Sequence, residues 1–129
     1  MITLKELNPK NYPVTPEIEE NLQKLHKAMN IIRSAYGKPM IVTSGLRDVE
    51  HHKNIYRKKG ISEDKIPMGS KHLVGAACDI YDPTGELHQW CRDNPEILEQ
   101  AGVWLETRQG NWQHFQIEPP KSGNRWFNP

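Results

Sequence analysis

A ten-residue stretch in the middle of the chain carries side chains that could bind a metal ion. Residues Ser70–Asp79 read Ser-Lys-His-Leu-Val-Gly-Ala-Ala-Cys-Asp. The pattern predicts a loop that presents His72, a turn at Gly75 and a short buried strand in which Ala77 and Asp79 share one face. An imidazole and a carboxylate brought together in this way are ligands that zinc accepts.

A third ligand is available near the end of the chain, at His114. The surrounding segment 111–117 reads Asn-Trp-Gln-His-Phe-Gln-Ile, and its alternation predicts a second strand with Trp112, His114 and Gln116 on one face. Two histidines and an aspartate leave the fourth tetrahedral position open for water, which is typical of a catalytic zinc site. His88, in a predicted helix, is the competing candidate for the third ligand.

The same stretch resembles a family signature. It matches the pattern S-x-H-x-x-G-x-A-x-D of the zinc D-alanyl-D-alanine carboxypeptidase-like peptidases, the M15 group, which includes cell-wall carboxypeptidases, D-Ala-D-Ala dipeptidases and phage endolysins. The matching residues are Ser70, His72, Gly75, Ala77 and Asp79.

Two further segments extend the resemblance. Trp112-Gln113-His114 resembles the W-x-H part of the same signature, and Ser44-Gly45-Leu46-Arg47 resembles its upstream S-G-x-R part. The resemblance implies a Hedgehog/DD-peptidase-like fold and a zinc ion held by His72, Asp79 and His114. It also implies that Arg47 binds a substrate carboxylate or carbonyl beside the metal, a task suited to the guanidinium fork.

The implied reaction is hydrolysis of an amide, in which a carboxylate moves the proton of the attacking water. Many members of the family carry an acidic residue three positions before the last histidine. That position is Asn111 here, and an asparagine amide cannot act as a general base. Glu106, at the end of the preceding predicted strand, is our candidate base. Two alternatives are a branch that uses zinc with other polar groups, and a protein that kept the metal but lost peptidase activity.

The resemblance favours hydrolysis of peptidoglycan stem or cross-bridge peptides, either as a D-Ala-D-Ala carboxypeptidase or endopeptidase or as a phage or prophage lysis enzyme. Such a substrate needs an open cleft, which we expect to be lined by Arg47, Ser70, Trp112 and Gln116. A non-catalytic, zinc-stabilised binding or structural module, possibly associated with a phage particle, is the main alternative. A metal-free protein whose polar cleft binds a ligand is a third hypothesis.

Composition narrows the classes of partner. The 129 residues include 17 Lys and Arg and 16 Asp and Glu, so there is no basic field that would favour nucleic acid. The sequence contains no apolar run long enough to predict a membrane span. The first residues lack the charged start and apolar core of a signal peptide. Action at a bacterial cell wall would then require export by another route.

The two cysteines predict no disulfide framework. Cys78 alternates away from Asp79 in the predicted strand and should therefore face the opposite side from the metal ligands. Cys91 lies in a predicted helix. A bridge between the two thiols stays open from the sequence alone.

The remaining pattern predicts one small α+β domain over residues 1–129, with a central, mostly antiparallel sheet. Thr15, Pro16 and Gly37 bracket a long amphipathic helix that should pack against one face of this sheet. We expect strands near residues 40, 78, 104 and 115, with the last two forming a hairpin, and helices over 48–59, 86–92 and 95–100. Residues 1–14 are expected to form an irregular arm and residues 119–129 an irregular tail. His26, His51 and His52 are expected to lie outside the site.

Overall fold

The computed structural model describes residues 1–128 and confirms the α+β class, with a single small domain. The helices are α1 Leu4–Leu7, α2 Pro16–Tyr36, α3 Val49–Lys58, α4 Glu86–Asp93 and α5 Pro95–Ala101. The strands are β1 Val42–Ser44, β2 Ala77–Tyr81, β3 Trp104–Glu106, β4 Trp112–Gln116 and β5 Trp126–Phe127. Two short 3₁₀ turns occupy Glu63–Lys65 and Lys71–Val74.

The five strands form one sheet in the order β1-β2-β4-β3-β5. The pairs β1–β2, β2–β4 and β3–β4 are antiparallel, and β5 adds in parallel to β3. Strand β4 therefore lies at the centre, between β2 and β3. The expected mostly antiparallel sheet and the expected β3–β4 hairpin are both confirmed.

Helix α2 forms where the capping pattern placed it. The side chain of Thr15 accepts a hydrogen bond from the backbone N–H of Ile18, Pro16 occupies the first turn, and Gly37 ends the helix with φ 76°. Its apolar stripe is buried in the core, at Leu22, Leu25, Met29 and Ile32.

Alternation along the strands divides the sheet into an apolar and a polar face. Cys78, Ile80, Leu105 and Phe115 are fully buried and join the core cluster with α2, α4 and α5. Their neighbours in sequence point to the other face. This second face carries Asp79 and His114, two of the three candidate metal ligands.

Two elements depart from the expectation of irregular ends. Within residues 1–14, Thr3 and Glu6 form a capping box that starts α1, and Leu7 anchors this turn in the core. Within the tail, Trp126 pairs with Leu105 and Phe127 with Glu106. A two-residue strand has no periodicity of its own, so only its long-range pairing with β3 identifies it.

Both cysteines are free thiols buried in the core. Burial, together with the charge of Asp82, raises the pKa of Cys91 to about 12, and burial raises the pKa of Cys78 as well. They are packing residues with little thiolate at neutral pH. Within residues 1–128, no helix is both long and apolar enough to cross a membrane.

Gly45 joins α1 to the loop that follows β1. The backbone N–H of Leu46 donates to the carbonyl of Leu7 at 2.8 Å, and a Cβ built on Gly45 would lie 2.3 Å from that carbonyl oxygen. Glycine is required here because the two backbones approach too closely for any side chain.

We expect Gly45→Ala to lower the free energy of unfolding by about 2–3 kcal/mol, since backbone atoms must move to admit the methyl group. Urea unfolding monitored by tryptophan fluorescence measures this loss. Gly69→Ala is the matched control, because a Cβ there meets nothing within 4 Å. An unchanged midpoint for Gly45→Ala would contradict the steric argument.

Candidate metal centre and cleft

Three separate elements bring the candidate ligands to one point. The antiparallel register of β2 and β4 places Asp79 directly opposite His114. His72 comes from the 3₁₀ turn at Lys71–Val74, whose first residue follows Ser70, and the hydroxyl of Ser70 accepts from the backbone N–H of His72. Gly75 then turns the chain into β2 with φ 74°.

The donor atoms of these residues lie close enough together for one metal ion to contact all three. Atoms bound at about 2.0–2.1 Å from zinc lie about 3.3–3.4 Å from one another. Asp79 Oδ1 lies 3.3 Å from His72 Nε2 and 2.9 Å from His114 Nδ1. One ligand atom from each of the three residues lies within 4.8 Å of the others. All three residues are buried.

The tautomers of both histidines follow from the hydrogen bonds of their outer ring nitrogens, which are His72 Nδ1 and His114 Nε2. His72 Nδ1 lies 2.8 Å from the carbonyl oxygen of Gly45, which can only accept, so Nδ1 carries the proton. The Gln116 amide donates through its nitrogen to the carbonyl of Glu118, so its oxygen is turned toward His114. His114 Nε2 lies 2.9 Å from this oxygen, which can only accept, and Nε2 therefore carries the proton. In the neutral rings, the lone pairs of His72 Nε2 and His114 Nδ1 are therefore free to bind a metal.

The charges of the cluster stabilise a cation next to Asp79. Burial alone would raise the pKa of Asp79, but hydrogen bonds and charge from His114 and His72 hold it well below its usual range. Burial alone would lower the pKa of His114, and the hydrogen bond and charge of Asp79, with Glu106, raise it. The site thus stabilises an ionised Asp79 beside a positive charge. A metal ion would supply that charge.

Arg47 lies beside this cluster and is oriented by several contacts. Its Nη2 lies 3.6 Å from Asp79 Oδ2, and its Nε donates to the hydroxyl of Ser44 at 3.0 Å. Its backbone N–H donates to the carbonyl of His72. Burial lowers the pKa of the guanidinium, and the charge of Asp79 opposes that shift.

His52 makes a contact that sequence reasoning missed. It is fully buried, its Nε2 lies 2.7 Å from the carbonyl oxygen of Pro67, and its Nδ1 lies 3.4 Å from Arg47 Nη1. The Pro67 carbonyl can only accept, so Nε2 donates and Nδ1 accepts from Arg47. Its neighbour His51 points away, toward the hydroxyl of Tyr12. The helical pattern of α3 carries no signal for this role, because the partner loop is remote in sequence.

The cluster opens onto a cleft of about 690 Å³. The four residues expected along it all line it, at Arg47, Ser70, Trp112 and Gln116. The Gln116 amide is buried and committed to His114 and Glu118. It therefore reaches the cleft as a group that orients His114.

Glu106 lines the same cleft from the end of β3. Its Oε1 lies 3.8 Å from His114 Nε2, and its side chain is 23% exposed, so the carboxylate is accessible to a ligand. Asn111 is exposed and lies outside the cleft lining.

The competing ligand candidates lie elsewhere. His88 Nδ1 is bonded to Gln113 Oε1, and its ring stacks edge-on against Trp126. Cys78 faces the core. Among the described residues, neither belongs to the cluster formed by His72, Asp79 and His114.

Comparison with known proteins bears on the fold and on the family. The crystal structure of the Serratia marcescens L-Ala D-Glu endopeptidase ChiX superposes with a TM-score of 0.55 at 19% identity, covering 87% of this chain and 95% of that one. This likeness establishes a common fold. A search of curated protein sequences finds no match. The family model described as Peptidase M15 matches residues 2–114. Because this match includes the two histidines and the aspartate of the cluster, the chain belongs to the peptidase M15 family.

Proposed function

We propose that this protein is a zinc-dependent peptidase that hydrolyses amide bonds in peptidoglycan stem or cross-bridge peptides at the bacterial cell wall. Membership of the M15 family and the fold shared with an L-Ala D-Glu endopeptidase support this assignment. The single observation that carries it is the meeting of His72, Asp79 and His114 at the wall of an open cleft, with both outer ring nitrogens occupied by acceptors.

The donor set suits zinc because it combines two neutral imidazoles with one carboxylate and leaves a side open to the cleft. When bound there, zinc would polarise the scissile carbonyl and lower the pKa of a water molecule. The residues of this chain supply the remaining functions, which are to move protons, bind the peptide and hold the imidazoles in place.

Glu106 is the carboxylate we assign as general base. Its accessible side chain takes a proton from the attacking water and returns it to the leaving amine. Its place on β3, next to the centre of the sheet, fixes its backbone relative to His114 on β4. Asn111, at the position where many relatives carry an acid, is exposed and has no carboxylate.

Arg47 is assigned to the substrate carbonyl or carboxylate, with His52 as its positioning residue. Ser44, Asp79 and His52 hold three parts of the guanidinium in fixed directions. A positioned guanidinium binds a carboxylate or carbonyl with less loss of side-chain freedom than a mobile one. His52 also connects Arg47 to the 59–69 loop through the carbonyl of Pro67.

We expect the chain to bind zinc and to require it for activity. Elemental analysis should find about one zinc per chain, and a chelator should abolish release of peptides or amines from purified peptidoglycan. His72→Ala and His114→Ala should each lose the metal, because two remaining ligands bind zinc weakly. Stoichiometric zinc in both variants would overturn the site assignment. Zinc without hydrolysis of several wall types would instead favour the non-catalytic binding module, for which Asn111 is the supporting residue.

Glu106→Gln should keep its zinc and lower kcat about a hundredfold or more, since the amide cannot accept the proton. Steady-state kinetics on a peptide containing an L-Ala–D-Glu bond, with zinc measured on the same sample, tests this expectation. Glu99→Gln, on the exposed surface of α5, is the matched control. A fully active Glu106→Gln would remove Glu106 as the base.

His52→Phe should retain zinc and the fold but lower kcat/KM about tenfold or more, because Arg47 loses one of its fixed partners. A double-mutant cycle with Arg47→Ala separates positioning from general packing. If His52 acts through Arg47, the Phe substitution should cost nothing further once the arginine is gone. Additive losses in the double variant would assign His52 a purely structural role.

A further inference from the structure

A second cavity of about 600 Å³ adjoins the cleft on the side of β5. Four residues line both spaces, at Pro120, Lys121, Phe127 and Asn128. Because these residues line both spaces, the second cavity lies directly beside the cleft.

The charged side chains that line this cavity are all positive. Its lining includes the cations Arg92 and Lys121 and no carboxylate. Within residues 1–128, neither cation forms an ion pair, whereas Lys71 of the main cleft is paired with Glu118. Two cations without a protein counter-ion in a polar cavity favour an anionic group on a ligand.

Arg92 is held in place by an aromatic ring. Its guanidinium carbon lies 3.8 Å from the centroid of Trp126, within the range of a cation–π contact. Stacking uses the face of the guanidinium and leaves its N–H groups at the edge for a carboxylate. Trp126 is fixed by the pairing of β5 with β3, and the same pairing places Phe127 opposite Glu106. The position of Arg92 is thereby tied to the wall of the candidate active site.

We propose that this cavity is a subsite for a carboxylate of the substrate, with Arg92 and Lys121 as its binding residues. The proposal rests on the proposed function and narrows it. The substrate is a peptide with a free carboxylate on the β5 side of the scissile bond, and the same peptide amidated at that group is bound less well.

The test compares two zinc-loaded variants on two synthetic peptides. Both peptides contain an L-Ala–D-Glu bond, one with its carboxylates free and one with them amidated. Arg92→Gln should raise KM about tenfold for the free peptide and less than twofold for the amidated one, with kcat unchanged. Lys121→Gln should act in the same direction. Equal losses on both peptides, or no loss on either, would overturn the proposal.

Lys58→Gln is the matched control. It removes one positive charge from an exposed position outside both cavities, so it reports the effect of net charge alone. A rise in KM equal to that of Arg92→Gln would attribute the effect to long-range electrostatics and contradict a subsite. Thermal unfolding of each variant checks that loss of the Trp126 contact has not unfolded the chain.

A chain that holds zinc but cuts neither these two peptides nor purified peptidoglycan would refute the proposed function without deciding the subsite. Isothermal titration with the same two peptides then tests the subsite alone. Tighter binding of the free peptide by the unmodified chain, lost in Arg92→Gln, supports it. Equal affinity of the unmodified chain for the two peptides contradicts it.

Discussion

The pairing of β2 with β4 is the constraint on which the candidate site depends. It places Asp79 opposite His114 and, through alternation, turns Cys78 and Phe115 into the core. Because side chains alternate with a period of two, a shift by one residue in the register would send the carboxylate and the imidazole to different faces. The core residues of the same two strands oppose such a shift, since it would expose them. Packing on one face of the sheet thus fixes the geometry of the other.

Burial of this polar cluster has a cost that the surrounding groups offset. A carboxylate taken out of water is unfavourable unless it is paired and hydrogen-bonded. Asp79 is approached by two imidazoles and a guanidinium, and each imidazole has an acceptor on its far side. The acceptors are the backbone carbonyl of Gly45 and the side-chain carbonyl of Gln116. Loss of either acceptor would leave a ring freer to rotate, which would weaken a metal site at this cluster by about 10- to 100-fold.

Much of the cluster formed by His72, Asp79 and His114 could be predicted from the sequence because it lies in local patterns. The stretch from Ser70 to Asp79 contains a cap, a glycine turn and the start of a strand, and His114 lies within a clear alternation. Helix α2 was predicted on the same grounds, from Thr15, Gly37 and the stripe between them. Each of these features depends on neighbours within a few residues, where propensity and periodicity are informative.

The features that could not be predicted depend on contacts remote in sequence. His52 appears in the sequence as one of two adjacent histidines on a helix. Its ring is fixed toward Arg47 only because Pro67, 15 residues along the chain, folds onto it. The short strand β5 is defined by β3, and through it Trp126 receives the guanidinium of Arg92.

These long-range contacts place different groups around the cluster. The contact of His52 with Pro67 fixes the ring that faces Arg47 beside the candidate ligands. The pairing of β5 with β3 places Trp126 against Arg92. The local motif therefore accounts for the candidate metal-binding cluster. The tertiary contacts around it determine the shape and charge of the surfaces beside that cluster, so chains that share the motif can still differ in the groups around it.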